Sequence, residues 1–422
     1  MTQLSFLGDM LTTLFERRAP TAPAGDTRSL DDMCLALLDA GGEVSGIALA
    51  QSILDRYAAL TPAEKRTFFT FLNDVLEISP QGVQAAAQTF AASQSVADYR
   101  ALAQAAEPRR QELLRRLNQP PGATRALVNM RTDLLAALAE DPNLARTDLD
   151  FRHLLRSWFN RGFLVLRQIS WETPASILEK IVEYEAVHAI QDWDDLRRRL
   201  YPQDRRCFAY FHPTMPDEPL IFVEVALTMS VPASIQHVLA GDREVRSPQD
   251  TSVAVFYSIS NCQTGLKGIS FGNLLIKQVV DELRQELPGL DTFVTLSPIP
   301  RFNAWLSQQT EDETARTILQ GHGSADMIRQ AASDYLAHAR TAQGAPFDPV
   351  ARFHLGNGAQ IYAVHADADL SENGQHQSSG AMVNYHYDLD LLEQNHERFV
   401  QNGDVSMTPA FRSTLTAGPE TT

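Results

Sequence analysis

The sequence predicts an α+β protein in which an all-helical bundle precedes a mixed α/β domain. Two observations carry this. Up to about residue 160, apolar residues recur at helical spacing in segment after segment, with no fixed repeat period. Beyond that point, short runs rich in β-branched and aromatic residues take over, as in "LIFVEVALT" and "SVAVFYSIS". The expected organisation is a helical domain at 1–158, a mixed domain at 159–402 and a flexible tail at 403–422, where apolar content is low.

In the first part, "TPAEKRTFFTFLNDVLEIS" is the clearest helix. Thr61 and Glu64 have capping-box spacing, with Pro62 at the first helical position. Phe68, Phe71, Leu72, Val75 and Leu76 then follow the spacing of one buried stripe. "SLDDMCLALLDA", "GIALAQSILDRYAAL", "RRQELLRRLNQ" and "RALVNMRTDLLAALAE" have the same character. Nothing in this region suggests chemistry, so packing, support and assembly into a homo-oligomer (dimer or tetramer) are its expected roles. In the second part, "FLVLRQIS", "CFAYFH", "TFVTLS", "RFHL" and "AQIYAVHA" join the strand candidates. "TPASILEKIVEYEAV" and "GNLLIKQVVDELRQEL" read as helices between them.

Composition narrows the function classes. The formal net charge is −16, which argues against nucleic-acid binding but leaves room for a small anion in a local positive pocket. Three cysteines at 34, 207 and 262 make neither a disulfide framework nor a metal knuckle, which fits a reducing compartment. No apolar run approaches the ~20 residues of a membrane helix. The first residues lack the layout of a targeting peptide, and "AGPETT" is not a peroxisomal signal. A soluble cytoplasmic protein is the expectation.

The stretch "NCQTGLKGISFGNLLIKQVV" places glycines at 265, 268 and 272 between a strand candidate and a helix. Leu275, Val279, Leu283 and Leu287, with Ile276 and Val280, give that helix one apolar face. A helix start offers free N–H groups, glycine lets the backbone approach an anion closely, and Lys267 adds charge. The spacing fits neither a dinucleotide fingerprint nor a P-loop. On local sequence, an ordinary strand-to-helix turn explains the glycines equally well.

Downstream, "TLSPIPRFNAWL" (295–306), "RFHLGNGAQIY" (352–362) and "AMVNYHYDL" (381–389) follow in order. With the loop and "HPTMPDEPLIFVEVALT" (212–228), they closely resemble the malonyl-CoA decarboxylase family over most of residues 160–390. The resemblance implies a helical N-terminal domain, a GNAT-like catalytic domain, and release of carbon dioxide from malonyl-CoA to give acetyl-CoA. It implies no metal or organic cofactor. It places the CoA loop on Lys267, Gly268, Ile269, Ser270, Phe271, Gly272 and Asn273. It matches the catalytic serine to Ser297 and the catalytic histidine to His354.

The chemistry is compatible with such a pair. Loss of carbon dioxide from a malonyl thioester leaves an enolate, which needs donors at its oxygen, a dry pocket for the carboxylate and a proton for its carbon. Read locally, Ser297 is as well explained by a strand ending before Pro298 and Pro300, and His354 by a structural role in a short strand. Tyr387 and Asn384 are supporting candidates for the same pocket, with core packing as their alternative. "HADAD" puts His365, Asp367 and Asp369 at alternating positions without a further ligand cluster, so no metal is expected. No nucleophile elbow surrounds Ser297, which disfavours a thioesterase. A GNAT-type acyltransferase and a non-catalytic acyl-CoA sensor stay as alternatives.

Overall fold

A computed structural model describes residues 26–269 and 272–415. Two compact units divide it, and their boundary does not follow the chain simply. One unit takes the residues up to Val165 together with His212–Glu218 and Gln263–Ser270. The other takes Leu166–Phe211, Pro219–Cys262 and the residues from Phe271 onward.

The first unit is helical. Its α-helices are α1 (Leu30–Asp39), α2 (Glu43–Ala58), α3 (Pro62–Asp74), α4 (Pro80–Ser93), α5 (Val96–Ala105), α6 (Arg109–Leu117), α7 (Ala123–Leu138) and α8 (Ala145–Trp158). The capping box of α3 forms as the spacing predicts, with Thr61 accepting from the Glu64 N–H and Glu64 reaching back to the Thr61 N–H. Phe68, Phe71, Leu72 and Leu76 are buried, and so is Phe69. Val75 is 58% exposed, because α3 stops at Asp74 and the stripe loses its register there.

Two short segments are built into this unit although they arrive between strands. In His212–Glu218, His212 Nε2 lies 3.1 Å from the Trp158 carbonyl, and Glu218 pairs with Arg125 at 2.7 Å. In the loop after residue 262, buried Arg131 of α7 donates to the carbonyls of Gly265 (2.7 Å) and Lys267 (2.9 Å). Arg131 also pairs with Asp148 at 2.8 Å, so this buried guanidinium is both neutralised and hydrogen-bonded. A Cβ at Gly265 would overlap the Val128 carbonyl, which is why glycine stands there.

The second unit is organised by one sheet: β1 (Val165–Ile169), β2 (Arg205–Phe211), β3 (Ile221–Thr228), β4 (Val253–Asn261), β5 (Thr292–Thr295), β6 (Ser297–Pro298), β7 (Gln360–His365) and β8 (Met382–His386). The strands run β1-β2-β3-β4-β5-β8. Strand β6 continues β5 along β8, and β7 pairs with the opposite edge of β8. The β2–β3, β3–β4 and β8 pairings are antiparallel, whereas β4 and β5 are parallel. This is the α+β layout read from the sequence. The long helix α12 (Gly272–Glu286) buries Leu275, Ile276, Val279, Val280 and Leu283 on one face, as expected, and Leu287 just beyond its end is buried too. Before it in the chain come α9 (Ala175–Tyr184), α10 (Trp193–Leu200) and α11 (Ile235–Leu239).

The parallel pairing fails partway, and this positions the site. It holds from Val253↔Thr292 to Phe256↔Thr295, ending with the Leu296 N–H on the Phe256 carbonyl at 3.0 Å. β4 runs on to Asn261 while β6 stays with β8, so the sheet splays open between them.

Two expectations are corrected here. "RFHL" is not a strand: residues Pro349–Gly356 form a helix, α16 after α13 (Phe302–Leu306), α14 (Glu313–Leu319) and α15 (Ala325–His338). Asp348 caps it by accepting from the Val350 and Ala351 N–H groups, with Pro349 at the first helical position. Nor do residues 403–415 behave as a loose tail. Ile361 of β7 exchanges backbone hydrogen bonds with Ser406 and Thr408, and Phe411 is buried.

Candidate active site

The splay encloses a cavity of about 330 Å³. Phe256 and Ile259 of β4, Ser297 and Pro298 of β6, and Val350 and Phe353 of α16 form much of its lining, together with His354. Among the described residues, no lysine, arginine, aspartate or glutamate lines it. Larger clefts of about 830 and 620 Å³ occur elsewhere in this unit, but neither contains Ser297 or His354.

Ser297 and His354 meet in this cavity although 57 positions separate them. Ser297 Oγ lies 3.1 Å from His354 Nε2, and both residues are buried. The Ser297 hydroxyl donates to Thr295 Oγ1 at 2.9 Å, and that oxygen also accepts from the Tyr385 N–H at 3.1 Å. The serine's lone pairs therefore face His354 Nε2–H. Nδ1 is then left to accept from the Tyr387 hydroxyl, 2.7 Å away. The Tyr385 ring stacks on the imidazole, with centroids 4.6 Å apart.

Burial controls the electrostatics. It pushes His354 down to about 3, so the imidazole is neutral around pH 7. The Tyr387 phenol is pushed well above its ordinary value by the same cause. The chain Tyr387–His354–Ser297–Thr295 is thus an uncharged row of hydrogen bonds that can pass protons without forming a buried ion at rest.

Of the supporting candidates, Tyr387 joins this row and Asn384 does not. Strand alternation puts Asn384 on the face opposite Tyr385 and Tyr387. Asn384 donates to the Thr295 and Pro232 carbonyls and accepts from His365 Nε2 at 2.6 Å, so it braces strands. Thr295 and Tyr385 were not singled out by the sequence reading. The same period of two would have found both, since each lies two positions from a residue already chosen. His365, Asp367 and Asp369 do not converge, and no group of metal-binding side chains occurs among the described residues.

The loop is different in kind. Lys267 and Gly268 are exposed, Ile269 is buried, and Gly268 has φ +79°, a left-handed conformation that favours glycine. Ser270 and Phe271 lie outside the described residues, and Gly272 and Asn273 open α12.

A helical unit and a sheet unit whose splayed strands hold an uncharged Ser–His–Tyr row are the marks of an α+β enzyme working in an apolar cavity. Residues 77–159 match the malonyl-CoA decarboxylase N-terminal domain, and residues 162–325 and 320–422 match the malonyl-CoA decarboxylase C-terminal domain. The mitochondrial malonyl-CoA decarboxylase of Rattus norvegicus is 31% identical over 432 residues, covering 90% of this chain and 86% of its own. That of Anser anser anser is 34% identical over 331 residues, which span 68% of this chain and 66% of the goose protein. The crystal structure of malonyl-CoA decarboxylase from Rhodopseudomonas palustris is 48% identical with a TM-score of 0.86, covering 91% of this chain and 98% of that one. The chain belongs to the malonyl-CoA decarboxylase family.

Proposed function

We propose that this chain converts malonyl-CoA to acetyl-CoA and carbon dioxide, with Ser297 and His354 stabilising and protonating the thioester enolate. The observation that carries the reading is the uncharged Tyr387–His354–Ser297 row set in the wall of a cavity otherwise lined largely by apolar groups. A carboxylate placed against Phe256, Ile259, Val350 and Phe353 meets no counter-charge, which favours its departure as neutral carbon dioxide. The C–C bond breaks, its electron pair moves into the enolate, and Cα takes a proton from the Ser297 hydroxyl. His354 Nε2–H replaces that proton on Oγ, and the Tyr387 hydroxyl replaces it on Nδ1. One proton from solvent restores the row, so malonyl-CoA and one proton give acetyl-CoA and carbon dioxide.

In this reading the CoA portion rests on the loop Lys267–Asn273, the helical domain at 1–158 supports a homo-oligomer, and residues 159–402, with 403–415 joined to β7, form a GNAT-like catalytic domain. The splayed β4–β5 pair supports the GNAT-like assignment. The chemistry uses no metal or organic cofactor. A cytoplasmic location is proposed with it; among the described residues, no helix is long and apolar enough to cross a membrane. Carboxyl-labelled malonyl-CoA tests the function directly: labelled carbon dioxide and acetyl-CoA should form in equal amounts. Transfer of an acyl group to an amine, or hydrolysis to free malonate, would refute it.

A further inference from the structure

At Gly268 the helical unit gathers positive charge that no carboxylate among the described residues pairs with. Arg152 and Arg156 stand four residues apart on α8, so they share one face, where two like charges repel. Neither forms an ion pair among the described residues, whereas nearby Arg131 pairs with Asp148, and Arg146 with Glu77. Arg152 Nη2 is 3.6 Å from the Cβ position of Gly268, and its Nε is buried without a hydrogen-bond partner. Arg156 Nη2 reaches the Gly268 carbonyl at 3.4 Å. Lys267 is exposed beside them and also forms no ion pair among the described residues. The C-terminal dipole of α8 explains tolerance of cations in its last turns, but not their convergence on a left-handed glycine.

Electrostatics asks for an anion here. In a chain of net charge −16, three cations left unpaired at one loop cost repulsion unless a ligand supplies the negative charge. The loop is held ready, because Arg131 fixes the Gly265 and Lys267 carbonyls from beneath. Guanidinium forks match phosphate oxygens, and both arginines belong to one short stretch of helix. Building on the CoA-ester reading above, we infer that Arg152 and Arg156 of the helical unit, with Lys267, hold a phosphate of the substrate's nucleotide. The helical domain thereby contributes binding residues as well as support. Removing one charge-assisted contact at a partly exposed site costs about tenfold in affinity.

The test compares wild type, Arg152→Gln, Arg156→Gln and the double variant on malonyl-CoA and on malonyl-pantetheine, which lacks the nucleotide. CoA and 3′-dephospho-CoA serve as competitors, and circular dichroism checks folding. The expected result is a KM for malonyl-CoA raised about tenfold per variant with kcat little changed, and no change on malonyl-pantetheine. Loss of the preference for CoA over its dephospho form would assign the 3′-phosphate. Equal weakening of both competitors would assign the pyrophosphate. An unchanged KM in folded variants, or an equal loss on malonyl-pantetheine, overturns the inference. If wild type releases no carbon dioxide from malonyl-CoA, the function assigned above fails instead.

Discussion

The loop at 263–269 and the cavity at Ser297 set up opposite electrostatics. At the loop, Lys267 and Gly268 are exposed, and Arg152 and Arg156 bring charge that no carboxylate among the described residues pairs with. At the cavity, no ionised side chain among the described residues lines the wall, and burial holds His354 neutral. The contrast separates two tasks. In the function proposed above, charge concentrated at an exposed, glycine-lined surface grips an anionic handle and sets affinity. In the same proposal, a pocket without charged lining gains nothing from gripping a carboxylate; it favours the step in which that charge leaves.

Substitutions can break this contrast from either side. The largest effect belongs to the cavity: Ser297→Ala or His354→Ala should lower kcat by about 10²–10⁴-fold while changing KM far less. If the two act as one unit, the double variant should cost little more than the worse single one, a comparison that steady-state kinetics makes directly. Next comes the loop's foundation. Gly265→Ala forces a methyl group against the Val128 carbonyl and should destabilise the protein by about 1–3 kcal/mol, read by chemical denaturation. Gly268→Val has room beside Arg152 but requires φ +79° of a β-branched residue, so CoA affinity should fall in a protein that still folds.

How much of this was legible in the sequence follows from the range of the interactions. The Thr61–Glu64 cap, the buried face of α12 and the strands between residues 205 and 295 are local patterns, and the structure reproduces them. Ser297 and Tyr387 were visible through their motifs, though not their partners. The helix carrying His354 was misread because "RFHL" looks like a strand in isolation. The decisive signal lay upstream in Asp348 and Pro349, an N-cap followed by a first-turn proline. Asn384 was misplaced by ignoring alternation along β8. Nothing local announces that Arg131, more than 130 positions before the loop, fastens its carbonyls. Nor does local pattern reveal that residues 212–218 and 263–269 belong with the helices.

Smaller effects sharpen the contrast. Tyr387→Phe keeps the ring but removes the donor to His354 Nδ1, so kcat should fall by about tenfold with KM unmoved. The pH dependence carries a sign. His354 is pushed down to about 3 and His188 to about 4, both mainly by burial, while the unfolded chain takes up protons near 6.5. Between those values the unfolded state binds more protons, so stability is full above about 6.5 and is lost as pH falls toward 4. Tm measured across that window should decline with acidification, and kcat should show no acid limb near 6.5 from His354. The smallest effect is none at all: prolonged EDTA treatment and desalting should leave activity intact. A loss restored by one divalent ion would contradict the metal-free reading of the cavity.

The division of labour between the two regions is tested most directly in His354→Ala. Calorimetric affinity for malonyl-CoA and release of labelled carbon dioxide should be measured on the same folded sample. The account predicts a dissociation constant within about threefold of wild type and turnover reduced by about a hundredfold or more. Near-normal turnover, or binding and turnover lost together in a folded variant, would contradict it.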